Sequence, residues 1–304
     1  MPWKYTDRQY TEYTRTTWNE TARAYASWSD ALSPYRQDVV DAIAPRPGER
    51  FLDLATGPGE PALTLAGRTG PTGAIVGIDL SREMVALARA SARTKGMENA
   101  TFRTMDCRRL RFPEGSFDGV TSCFGFQIFT DPEGVARESF RVLRPGGRAV
   151  ASIWGPGESC PLLDAIVGPM LRHAEPDEDG YLPSPYEMGD PGQLVAFFRA
   201  AGFVRATEHR VTYTTHFRDA TDYFESITRS TPIGHSFREE SRKVRTEVRR
   251  EMERFLRDWT GPSGIDLPSE AVIVRARKPP GGSRPVASRV RRNSARGRTP
   301  GRVS

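Results

Sequence analysis

Between residues 45 and 154 the chain alternates short apolar runs with stretches whose apolar positions recur every three to four residues. Phe51, Leu52 and Leu54 make the first run, residues 74–78 the second, and 100–103, 119–123 and 148–154 the next three. Continuous apolar runs of this length fit strands buried on both faces of a parallel sheet. Ala62, Leu63, Leu65 and Ala66, then Met84, Leu87 and Ala88, then residues 138–143 fall between them at helical spacing. Strand and helix in alternation predict an α/β doubly wound sheet. Upstream, Trp18, Ala22, Tyr25 and Trp28 repeat at helical intervals, predicting a helix from Thr17, and Ser33-Pro34 opens a second one carrying Val39, Val40 and Ile43. Downstream, helices are expected over 162–172, from a cap at Asp190-Pro191 to Gly202, and over 219–228. A strand is expected over 211–217, then a long helix over 237–259 capped by Ser236 and Glu239, then a last strand over 271–274.

Composition narrows the class. No apolar run reaches the ~18 residues of a membrane-spanning helix, and the first residues lack the apolar core of a signal peptide. A cytoplasmic protein is the expectation. Cys107, Cys123 and Cys160 have neither paired spacing nor a histidine cluster beside them, which argues against a disulfide framework or a zinc site. The net charge of +6 suggests nucleic acid until it is located. Residues 279–304 hold seven arginines and no acid; without them 37 basic residues face 38 acidic ones, a net of −1. A Pro/Gly/Ser/Arg stretch whose only aliphatics are Val286, Val290 and Val303 is expected to be disordered. No nucleic-acid partner is expected for the folded core.

The candidate chemistry sits at the strand ends. After Leu54 the chain reads Ala55-Thr56-Gly57-Pro58-Gly59, a glycine turn between a strand and a helix, where backbone N–H groups face a polar ligand. Gly57 and Gly59, without a Cβ, would let that ligand approach closely. Gly57, Gly59 and Ala62 satisfy the dinucleotide fingerprint, with Asp79 in the position of a ribose-binding acid. Asp53 favours a different nucleoside, because an acid before the glycine turn suits an ammonium and repels a pyrophosphate. Asp53, Ala55, Gly57 and Gly59 together resemble the first motif of the class I S-adenosylmethionine-dependent methyltransferases. Asp79, Ser81 and Met84, then Asp106 with Cys107, then Arg144-Pro145-Gly146-Gly147 as a tight turn before the fifth strand, resemble their later motifs in order. Trp18, Thr21, Ala22, Tyr25 and Trp28 resemble their N-terminal helix. Trp154, Gly155 and Pro161, with a helical insert before the last strand, resemble the quinone-methyltransferase-like branch, most of which acts on small molecules.

The resemblance implies a Rossmann-like, seven-stranded, mostly parallel sheet with an N-terminal helical cap (1–44), a cofactor domain (45–278) and a helical insert (about 218–262). It implies S-adenosyl-L-methionine as cofactor. Asp53 would meet its ammonium, Asp79 its ribose hydroxyls, Met84, Asp106 and the Cys107 backbone its adenine, and the Phe124 backbone its methionine amino group, with Ala55, Thr56, Gly57, Gly59 and Leu80 also in the cofactor site. The acceptor would be a small aromatic or apolar molecule between the N-terminal helix, the 124–129 loop and the insert. Neither the NGTGD turn nor the C-terminal segment of true quinone C-methyltransferases is present, so O- or N-methylation is expected before C-methylation of a quinone or polyketide. Four histidines, His173, His209, His216 and His235, are available as bases, and the sequence assigns none of them. A nicotinamide dehydrogenase and a nucleic-acid-binding module are the competing classes.

Overall fold

The computed structural model describes residues 7–173 and 188–281; the expected disordered tail beyond 281, and most of the acidic, proline-rich excursion at 173–189, lie outside the described residues. The central sheet has eight strands. In chain order they are β1 (Arg50–Leu54), β2 (Ala74–Asp79), β3 (Ala100–Thr104), β4 (Phe117–Cys123), β5 (Leu143–Trp154), β6 (Val204–Phe217), β7 (Thr260–Gly261) and β8 (Gly264–Arg277). Seven of them run across the sheet as β3-β2-β1-β4-β5-β8-β6, and the two-residue β7 pairs with β8. β1 to β5 are parallel, while β8 runs antiparallel to both of its neighbours. The order reverses between β1 and β4, and it is outside the carboxyl ends of such neighbouring strands that an open α/β sheet binds ligands.

Helices cover both faces. α2 (Ser33–Ile43), α3 (Ala62–Thr69) and α4 (Arg82–Thr94) pack Val39, Leu65 and Ala88 against Phe51, Ile75 and Phe102. On the opposite face α5 (Pro132–Val142) and α7 (Gln193–Ala200) bring Val135 and Phe198 to Leu52, Leu54 and Val274. α6 (Pro161–His173), α8 (Ala220–Ser230) and α10 (Arg242–Arg257) form a further cluster around Ile166, Tyr223 and Met252. The sheet is packed so closely that Gly119 has no room for a side chain: a Cβ there would fall inside van der Waals contact with the Phe51 ring on β1. Gly119→Ala is expected to lower stability by about 1–3 kcal/mol through overpacking, read as an earlier midpoint in urea unfolding. An unchanged midpoint would mean that Phe51 can swing aside.

Several expected boundaries shift. α1 begins at Asp7 rather than Thr17 and runs to Trp28. The expected long helix breaks in two. α9 (Pro232–Glu239) ends at Glu240, and Ser241, not Ser236, caps α10 by accepting from the Val244 N–H at 3.2 Å. Ser236 lies inside α9, and its hydroxyl bonds the Tyr13 hydroxyl at 2.9 Å. Asp190-Pro191 precedes α7 without capping it, since left-handed Gly192 holds the cap position. The Arg144–Gly147 turn is a bulge inside β5, where the register against β4 jumps between Phe117 and Gly119 and Gly146 has φ +78°. Among the described residues no helix is long and apolar enough to cross a membrane.

Candidate functional site

At the carboxyl ends of β1, β2 and β4 the chain departs from extended geometry. Ala55 (φ +51°) follows β1 and Phe124 (φ +58°) follows β4, both in the left-handed region that residues with a Cβ rarely occupy. Such conformations persist only where the surroundings hold them. The Phe124 N–H donates to the Ser152 carbonyl at 2.9 Å, and its ring stacks on Trp154 at 4.1 Å with Tyr35 edge-on. Because that N–H is committed to Ser152, an amine arriving here would meet carbonyl oxygens rather than this amide.

The glycine turn is built around Asp79. One carboxylate oxygen accepts from the Gly57 N–H at 2.9 Å and the other from the Ser81 N–H at 2.9 Å. Burial pushes Asp79 up to about 6, against the pull of those backbone bonds, so it is mostly ionised at neutral pH. Each oxygen keeps a lone pair for a further donor. Ser81 caps α4 through the Met84 N–H and donates to Asn19 of α1 at 2.7 Å, fixing the N-terminal helix above this corner.

Asp106, beyond β3, is gripped by Arg108. The guanidinium meets both carboxylate oxygens at 2.7–3.1 Å and also donates to Thr130 and to Thr11 of α1. Burial alone would raise the Asp106 carboxyl, but the Arg108 bonds hold it below its ordinary value. Asp53 is different. It is fully buried, pairs through one oxygen with the Thr121 hydroxyl at 2.7 Å, and leaves the other oxygen without a partner. Burial, only partly offset by Thr56 and Thr121, lifts it to about 7.

A cavity of about 330 Å³ opens over these strand ends. Ala55, Gly57, Asp79, Leu80, Met84, Asp106, Cys107 and Phe124 border it. Asp53, Thr56 and Gly59 are not among the residues that border it. Asp53 and Thr56 lie behind the turn at 0% and 1% exposure. Gly59 serves packing: a Cβ there would crowd Leu63 of α3 and Ala88 of α4. Gly57 does face the cavity, with φ +55° and the Tyr25 ring 3.8 Å from where its Cβ would stand.

The remaining wall is largely apolar. Trp18, Tyr25 and Trp28 come from α1, Ile128 and Phe129 from the loop after β4, and Pro232, Ile233 and Ser236 from α9, the three segments anticipated from sequence. Tyr10, Thr11 and Tyr13 of α1, Arg108, and Leu163, Val167 and Met170 of α6 were not anticipated. The near-continuous apolarity of α6 was the available signal; Arg108 left none. None of the four histidines borders the cavity. His173 pairs with Glu251 and His216 with Asp266, while His235 stands between Glu20 and Glu239. Among the described residues no cluster of His, Cys, Asp and Glu could hold a metal ion.

Fold and cavity together define a doubly wound α/β protein, with a cavity, a glycine turn and acids at the switch point of the sheet. Comparison with known proteins carries this further. Residues 51–147 match a family model described as a methyltransferase domain. Nocamycin O-methyltransferase of Saccharothrix syringae is 33% identical over 195 residues, 60% of this chain and 69% of that one. Ubiquinone/menaquinone biosynthesis C-methyltransferase UbiE of Ectopseudomonas mendocina (strain ymp) is 31% identical over 225 residues, 68% of this chain and 87% of that one. Among solved structures, the [4+2]-cyclase SpnF superposes with a TM-score of 0.58 at 19% identity, covering 91% of this chain and 98% of that one, a likeness of fold alone. The chain belongs to the class I S-adenosylmethionine-dependent methyltransferases; it is an enzyme of that family, and its cofactor is S-adenosylmethionine.

Proposed function

We propose that this enzyme methylates an oxygen or nitrogen atom of a small, uncharged, largely apolar acceptor. The observation that carries the reading is the continuity of the cavity. One end is polar, around Gly57, Asp79 and Asp106; the other is walled by Trp18, Trp28, Phe124, Trp154, Val167 and Ile233. Among the described residues, the one cation on the wall is Arg108, which is occupied by Asp106, so they offer no counter-ion to a carboxylate or phosphate acceptor at the apolar end. The unpaired, reduced cysteines fit a cytoplasmic enzyme.

The residues present fit the cofactor on two local grounds. Gly57 leaves an open cradle that a side chain would narrow, and Asp53 holds a buried carboxylate oxygen with no partner, one residue short of the turn. Asp79 would take the ribose hydroxyls on its free lone pairs, Met84 would pack on the adenine, and Asp106 would accept from its amino group. S-adenosylmethionine, when bound, supplies an already activated methyl group. The chain's own task is therefore alignment and exclusion of water. Holding two reactants in line can contribute about 7–11 kcal/mol to lowering a barrier, and the aromatic wall keeps water out. Proton removal is needed only for an acceptor that must lose one, and no histidine is placed for it.

Incubating the protein with methyl-labelled donor and a panel of phenols, amines and quinones tests the reading. Label in a methyl ether or N-methyl amine is the expected result. Label on a quinone ring carbon would favour C-methylation instead, a second reading that the similarity to UbiE over 225 residues supports. Transfer to a charged acceptor in preference to neutral ones would overturn both.

A further inference from the structure

Gln127, a polar residue on the cavity wall, has no role in the site as described. It stands in a single 3-10 turn, Phe126–Ile128, which follows left-handed Phe124 and closes through the Ile128 N–H on the Gly125 carbonyl at 3.0 Å. The turn has little slack: a Cβ on Gly125 would collide with the Ser122 hydroxyl and press on Ala55 and Phe129. From this seat the Gln127 side chain reaches the end of β5, where its Oε1 accepts from the Trp154 N–H at 2.9 Å. A main-chain N–H can only donate, so the oxygen must face Trp154 and the amide cannot be turned over. The Nε2 group and its two protons are thereby fixed in direction as well.

Among the described residues the Trp154 N–H is the one hydrogen-bond partner of this side chain, so Nε2 donates to nothing. Nor is that nitrogen sealed from solvent without a partner, as the Trp28 indole nitrogen is. It is open, and the space beside Gln127 is the cavity. Oriented N–H donors in an apolar wall call for an oxygen with lone pairs. The neighbouring side chains on the wall, Phe124, Ile128, Phe129 and Trp154, carry no acceptor. A ligand hydroxyl placed among them would leave its own proton unpaired, which is costly once buried. A carboxylate would bring a charge that a neutral amide does not balance. A carbonyl oxygen, with lone pairs but neither proton nor charge, leaves nothing unsatisfied.

We propose that Gln127 selects the acceptor by donating its amide N–H to a neutral carbonyl oxygen on the molecule that is methylated. This rests on the small-molecule reading above and narrows it from an apolar acceptor to a carbonyl-bearing one, an aryl ketone or a related conjugated carbonyl compound. The 3-10 turn hangs directly from Phe124, at the end of β4 where the glycine corner lies. An oxygen held by Gln127 is therefore kept at a fixed offset from the cofactor corner, and that offset sets which atom of the acceptor is presented for methylation.

The test compares each hydroxyacetophenone isomer with the matching ethylphenol, in which a methylene replaces the carbonyl. Calorimetry reads their binding to the full chain saturated with S-adenosylhomocysteine, and methyl-labelled donor reads KM, kcat and the atom methylated. For at least one isomer the ketone-to-ethylphenol affinity ratio is expected to be about 3- to 10-fold higher in wild type than in Gln127→Met, the range of a neutral hydrogen bond. Gln127→Glu should lower the ratio as much at alkaline pH while keeping the Trp154 bond and the wild-type unfolding midpoint, which separates acceptor recognition from support of the turn. A ratio unchanged in both variants overturns the role of Gln127, even if every probe binds more weakly, because that is a structural effect. Binding of no ketone to wild type overturns it too. Label on a ring carbon of these probes would instead overturn the O- or N-methylation reading, and the ratio would still decide on Gln127. Should Gln127→Met fail to fold, Gln127→Glu decides.

Discussion

Asp79→Ala is expected to weaken S-adenosylhomocysteine binding by about 100-fold or more while the chain remains folded. Two hydrogen bonds from a ribose diol to an ionised carboxylate are at stake, each worth about 1.5–3 kcal/mol, and about 1.4 kcal/mol corresponds to a factor of ten. The substitution also frees the Gly57 and Ser81 N–H groups that the carboxylate now holds at 2.9 Å, loosening the turn that forms the cavity floor. Asp79→Asn separates the two effects, since its amide can keep one backbone bond but offers a donor where the diol needs an acceptor. Titration calorimetry with circular dichroism as the folding control reads both variants. An affinity within about threefold of wild type in Asp79→Ala, on the scale where tenfold is about 1.4 kcal/mol, would remove Asp79 from the ribose site.

The second large effect concerns pH. Asp53 titrates at about 7 in the folded chain, well above the carboxylate's ordinary value. A raised folded value means that, between roughly pH 4 and 7, the folded state holds a proton that the unfolded state has released. Asp53 therefore costs stability progressively as pH rises through that window. An ammonium bound beside it reverses the preference, because the ionised carboxylate is then the favoured form. Affinity for S-adenosylhomocysteine should rise by up to about tenfold per pH unit on the acid side of 7 and flatten above it. Asp53→Asn should abolish that slope, bind more weakly at pH 8, and unfold at a higher urea concentration than wild type at pH 7. A wild-type affinity flat from pH 5.5 to 8 would show that no ammonium is sensed by this residue.

How much of this was legible in the sequence follows from where burial is complete. β1, β2 and β4 are enclosed on both faces, so their apolar runs announced them and the acids at their ends could be placed. β6 was recognised only over its second half. It is an edge strand whose alternate side chains are exposed, and Thr207, Thr212, Thr214 and Thr215 carry it without an apolar run. β8 extends from Gly264 to Arg277 because β6 and β5 both pair with it, a tertiary cause that no local window contains. α1 was shortened for a similar reason. Tyr10, Thr11 and Tyr13 face the cavity and look neither apolar enough for a core nor charged enough for a surface. In the site, the residue types and the order of motifs identified the cofactor corner. They could not tell which acid stands on the wall and which behind it, since that depends on the direction of the chain after the left-handed Ala55. The Ser236–Glu239 signature was present but unused, because the break at Glu240 places Ser236 in mid-helix.

The hydroxyl contact between Tyr13 and Ser236, 223 positions apart, has a bearing on how kinship among these enzymes should be judged. The stretch shared with the methyltransferase domain family spans residues 51–147 and contains the donor's floor, whereas α1, α6 and α9, which roof the other end, lie outside it. Grouping proteins by the floor will therefore gather enzymes with unlike substrates.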